Sequence, residues 1–103
     1  MGLERRLEAE AQFASLTEQL VSEGDTSLAP LSAGLLAASF SGYCSDSHTF
    51  SKRLGIEHAL VIRECVQLAD ELGMIEIDHK NERSQRLRYK LTNAGLSVFE
   101  GRS

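Results

Sequence analysis

Between Phe50 and Phe99 the spacing of apolar residues changes from helical to alternating and back, with a glycine at each of the first two breaks. Phe50 and Leu54 stand at i and i+4, and Gly55 follows. Val61, Cys65, Leu68 and Leu72 share one face of a helix over 57–72, closed by Gly73. Residues 74–78 and 85–91 then alternate with period two, which predicts a two-stranded ribbon. In its second strand Leu87, Tyr89 and Leu91 face the core, while Arg86, Arg88 and Lys90 face out. Thr92 is placed to cap a last short helix, with Leu96 and Phe99 inward and Gly101 at its end. Such a chain must fold as short helix, tight turn with Ile56 beneath it, longer helix, ribbon and short helix.

Upstream, residues 3–23 predict a helix that Gly24 stops. Its apolar residues form two stripes: Leu3, Leu7, Ala14 and Val21, and Ala9, Phe13, Leu16 and Leu20. One face suffices for a helix on a monomer, so a second stripe points to a homodimer contact or to a groove in the same domain. Residues 24–27 form a turn. A helix over about 28–40 places Leu28, Leu31, Leu35, Leu36 and Phe40 in the core, with Pro30 near its start. Residues 41–47 read as a loop in which Ser45 or Ser47 caps the next helix. The expected organisation is an N-terminal helix (1–24) followed by one domain (25–103).

A chain of 103 residues supports a single modest core, and 42% hydrophobic with 25% charged residues suits a soluble domain. Two cysteines, 21 positions apart and without a C-x-x-C pair, suit a reducing compartment, so a cytoplasmic location is expected. The charged N-terminus has no apolar core of a signal peptide, and the longest apolar stretch, near Leu35 to Phe40, is too short to span a bilayer. No phosphate-binding glycine loop, H-E-x-x-H or nucleophile elbow is present, which argues against an enzyme and implies no cofactor.

The net charge of −4 argues mildly against a nucleic-acid partner, but it is unevenly placed. Residues 1–45 hold two basic and six acidic residues, and residues 46–103 hold nine of each. Residues 79–90 carry Lys80, Arg83, Arg86, Arg88 and Lys90 against Glu82. Local fields steer binding more than the total does.

Over about residues 28–100 the chain resembles the winged helix-turn-helix domains of bacterial regulators, including the MarR-type and PadR-type proteins. The segments SKRLGI, VIRECVQLADELGMI and LTNAG carry the resemblance. It implies an α+β, mainly α fold: a winged helix-turn-helix with an extra N-terminal helix and a C-terminal two-stranded wing. It also implies a homodimeric transcription regulator that binds double-stranded DNA. The helix 57–72 becomes the recognition helix in the major groove. Its outward face presents Ala59, Arg63, Val66, Gln67 and Asp70, with Arg63 and Gln67 suited to base edges. Lys80, Arg83, Arg86 and Arg88 of the wing become phosphate contacts, and Ser47, Thr49, Ser51 and Lys52 become backbone contacts of the preceding helix.

The recognition helix departs from a good DNA reader. Arg63 is its only cation against Glu57, Glu64, Asp70 and Glu71, and Val66 faces out between Leu60 and Ile62 on the flanks. That face also suits a winged-helix adaptor that binds another protein instead of DNA. Cys65 lies on the core stripe. Cys44, Asp46 and His48, with His58 or His79, match no common zinc spacing, so no metal site is expected. The connection 79–85 is polar and expected to be mobile.

Overall fold

A computed structural model describes residues 2–23 and 28–101, with side chains from Glu4 onward. The chain is α+β and mainly helical. Its elements are α1 (Gly2–Ser22), α2 (Pro30–Ser41), α3 (Ser47–Leu54), α4 (His58–Asp70), β1 (Ile75–Lys80), β2 (Leu87–Leu91) and α5 (Asn93–Ser97). The strands form one antiparallel pair. The expected stop at Gly24, the turn 24–27 and the side chain of Leu3 lie outside the described residues.

α2 is the axis of the fold. Every residue from Ser32 to Ala38 is buried, because α1, α4 and β2 all pack against it. Pro30 occupies its first turn, where a missing N–H costs nothing, and Gly42 ends it with φ 79°. One stripe of α1 (Phe13, Leu16, Leu20) enters this core, and Phe50 of α3 meets Phe13 edge-on with centroids 6.3 Å apart. The other stripe stays in solvent: Leu7 is 56% and Val21 46% exposed. From α4, Val61, Cys65 and Leu68 are wholly buried.

Three core expectations are corrected. Leu72 is 36% exposed because α4 stops at Asp70, two residues short of the expected end, and the chain turns away before another helical step. Its turn is closed by Met74 N–H donating to the Leu68 carbonyl, beside Gly73 at φ 62°. Leu96 of α5 is 46% exposed, while beyond the end of that helix Phe99 is buried in the core and Val98 packs against it. Phe40 lies at the surface, stacked on Phe99 at 4.4 Å.

The ribbon runs longer on one side and shorter on the other than the alternation predicts. β1 continues to Lys80, and a bulge between Ile77 and His79 leaves Asp78 outside the register. β2 begins only at Leu87, so Arg86 precedes it. The connection is a hydrogen-bonded turn. Asn81 Oδ1 accepts from the N–H groups of Arg83 and Ser84, and Gln85 N–H donates to the Asn81 carbonyl at 2.8 Å. β2 is anchored inward through Tyr89, whose hydroxyl donates to the Leu35 carbonyl of α2 at 2.7 Å. It also pairs outward. Asp46 bridges to Arg88, and Tyr89 N–H donates to the Ser45 carbonyl, so the segment before α3 adds a one-residue third strand. No periodicity marks that segment, and only the tertiary contact reveals it.

Candidate nucleic-acid interface

Asp46, not Ser45 or Ser47, caps α3. Its carboxylate accepts from Thr49 N–H at 2.7 Å and from the Thr49 hydroxyl at 2.8 Å. Partial burial pushes the Asp46 carboxyl up. The Thr49 bonds, together with the charges of Arg86 and His48, outweigh it and hold the group below its ordinary 3.8.

Ser47 is wholly buried and joins three elements. Its hydroxyl oxygen lies 2.9 Å from Leu87 N at the start of β2 and 2.8 Å from His58 Nε2 in the first turn of α4. Leu87 N–H can only donate, so the Ser47 hydroxyl accepts there; with its second lone pair or its own proton it also bonds His58 Nε2, whichever tautomer the imidazole adopts. Beside it, Arg86 Nη2 donates to His48 Nδ1 at 2.9 Å, and Arg86 Nε lies 3.6 Å from Asp46. The His48 and His58 rings meet edge-on at 5.6 Å. The starts of α3, α4 and β2 therefore converge on one polar cluster.

Burial, with the neighbouring charge of His48, lowers the His58 pKa from 6.5, although Asp46 pulls the other way. A histidine whose folded pKa is depressed stabilises the fold fully above its unfolded value. That contribution is lost as the pH falls through 6.5 toward the folded value. Denaturation midpoints are therefore expected to fall between about pH 7.5 and 5.5. His58→Gln, whose side chain still offers an acceptor to Ser47, should flatten that part of the profile; a profile unchanged by this variant would remove His58 as the cause.

The cluster revises the sequence-based contact set. Ser47, expected at the DNA backbone, is out of reach because it is buried against the start of β2. Thr49 spends its N–H and hydroxyl on Asp46, and the Ser51 hydroxyl donates to the Ile56 carbonyl in the turn. Of that group Lys52 projects freely. Arg86, expected to face out, is half-buried against Asp46 and His48, because β2 starts after it and the alternation does not extend to it. Lys80, Arg83 and Arg88 are exposed. Arg88 shares a concavity with Asp46 and Asp78, whose carboxylates temper its charge. Lys90 pairs with Glu76 at 3.8 Å in solvent, an interaction worth little.

On α4, Ala59, Arg63, Val66 and Gln67 are all exposed. Arg63, Val66, Gln67, Asp70 and Glu71 border one concavity of about 370 Å³. Gln67 Nε2 donates to Glu71 at 3.3 Å. Leu60 and Val66 are 46% and 40% exposed on this element.

The cysteines are free thiols. Burial pushes Cys44 up to about 11 against the pull of Arg53, and Cys65 up to about 12, so neither is a ready thiolate near neutral pH. No group of three or more metal-ligating side chains is gathered among the described residues. No helix among them is long and apolar enough to cross a membrane.

Comparison with protein-family models, curated proteins and solved structures gives no match to this chain.

Proposed function

We propose that the chain is a winged helix-turn-helix DNA-binding regulator, with α4 as the recognition helix and the β1–β2 ribbon as the wing. The observation that carries this reading is the junction at Ser47. One hydroxyl ties the first turn of α4 to the base of the wing strand, with the start of α3 on the same side. A single duplex can then meet Arg63 and Gln67 in its major groove while Lys80, Arg83 and Arg88 lie along its phosphates. Lys52 of α3 adds a backbone contact.

The test is fluorescence anisotropy of a random-sequence duplex, followed by selection of preferred sites. Binding at low salt is expected, and Arg63→Ala with Gln67→Ala should erase the preference among sites while leaving the nonspecific affinity nearly intact. The exposed Leu60 and Val66 favour a second reading, an adaptor whose α4 face docks on another protein. Absence of DNA binding at low salt, with Val66→Glu abolishing a protein interaction, would select it.

The regulator is proposed to be a homodimer through the outer stripe of α1, where Leu7 and Val21 lie in solvent. Two copies would read a nearly palindromic site. Leu7→Glu with Val21→Glu is expected to give a monomer by sedimentation with an unchanged fold. A wild-type protein that sediments as a monomer at about 100 μM would overturn the dimer.

A further inference from the structure

The inward stripe of α1 does not end where the core ends. Traced toward the N-terminus it passes from Leu16 and Phe13 through Ala9 to Arg5 and Arg6, which flank the same face. Where that face runs past the end of α2, it carries two arginines in place of apolar residues. Opposite them stands Arg53 in the last turn of α3. Arg5, Arg6, Ala9, Gly42, Tyr43 and Arg53 enclose a concavity of about 280 Å³, and no carboxylate lines it.

Arg53 is held in place. Its Nη1 donates to the Tyr43 carbonyl at 2.6 Å, and its guanidinium lies 4.8 Å from the centre of the Tyr43 ring. The same ring is stacked on Phe13 at 4.8 Å, so tyrosine and arginine form a rigid wall. None of the three arginines forms an ion pair among the described residues. The carbonyls ending α2 do not need them, because those of Ala38 and Ser39 already accept from the N–H groups of Gly42, Tyr43 and Cys44. Ala9 and Gly42 leave the floor open. In a chain of net charge −4, three unpaired guanidinium groups facing one space are a concentrated positive field.

The geometry points to a binding site for a phosphoryl-bearing anion at this pocket, separate from the wing and α4. Arginine forks match the paired oxygens of phosphate, and three of them suit a group of more than one negative charge. The Tyr43 ring is already stacked on Phe13 and against the Arg53 guanidinium, so the recognised chemistry is the phosphoryl group itself. It belongs either to a small phosphorylated ligand or to a nucleic-acid backbone.

Inorganic pyrophosphate, titrated into the full chain by calorimetry at fixed ionic strength, is the probe. Saturable 1:1 binding is expected, weakened about tenfold or more by Arg5→Gln with Arg6→Gln and unchanged by Lys80→Ala with Arg83→Ala. Both double variants alter exposed side chains and should keep the wild-type thermal midpoint. If an added duplex displaces pyrophosphate, the natural source is a nucleic-acid backbone; if both bind together, it is a small ligand. Either result supports a phosphoryl site. No saturable binding, or binding indifferent to the Arg5 and Arg6 changes, would overturn it.

Discussion

Replacing Gly95 by alanine is expected to destabilise the fold by about 3 kcal/mol or more. In an ordinary helical position the same change is worth roughly 0.5–1 kcal/mol in the stabilising direction, so the sign itself is diagnostic. A Cβ on Gly95 would lie 2.1 Å from the Met74 carbonyl oxygen and 3.1 Å from its carbon. That carbonyl is not free to withdraw, because it accepts from Thr92 N–H at 3.0 Å. Thr92 is itself clasped, its hydroxyl donating to the Gly73 carbonyl at 2.6 Å and accepting from Gly95 N–H at 3.2 Å. The Leu-Thr-x-x-Gly step is thus a lock between the last helix and the strand entry. Gly34 is the milder comparison, since its added Cβ would meet side chains alone: the ring edge of Phe50 at 3.3 Å and a ring carbon of Phe13 at 4.0 Å. Urea unfolding of Gly95→Ala and Gly34→Ala decides the matter: a Gly95→Ala midpoint at or above that of the wild type would show that the lock is absent.

DNA affinity is expected to fall by roughly 10⁴-fold between about 50 and 200 mM salt if a dimer engages Lys52, Lys80, Arg83 and Arg88 from each copy. Each phosphate contact contributes about 0.9 to the slope of log affinity against log salt. Lys80→Ala with Arg83→Ala removes two contacts per copy, so the slope should drop by nearly four and nonspecific binding should weaken with it. Arg86→Ala should behave differently. Arg86 is engaged with Asp46 and His48, so its loss should lower stability and leave the slope nearly unchanged. A slope near zero in the wild type, or one that responds to Arg86 but not to Lys80 and Arg83, would contradict the proposed wing contact.

The helices and strands were legible mainly from local period and from the glycines that follow α2, α3 and α4. Gly42, Gly55 and Gly73 all take a positive φ at a helix end, where a residue without Cβ adopts it freely. The candidate site was legible only in part. Arg63 and Gln67 are exposed as the helical face predicts, Arg88 as the alternation predicts, and Lys80 and Arg83 as the polar connection predicts. Ser47 and Arg86 carry the same surface signal in one dimension, yet both turn inward because α3, α4 and β2 meet there. The pocket of Arg5, Arg6 and Arg53 had no signal at all, since its walls lie far apart in the chain.

The sequence alone determined the order of elements and which stripe of each helix is apolar, because these depend on neighbours within a turn or two. The tertiary structure decided which stripe of α1 enters the core, which residue caps α3, that Gly95 admits no side chain and which cations of the ribbon stay exposed. Those outcomes depend on what a distant part of the chain places opposite each residue, and no local pattern encodes that.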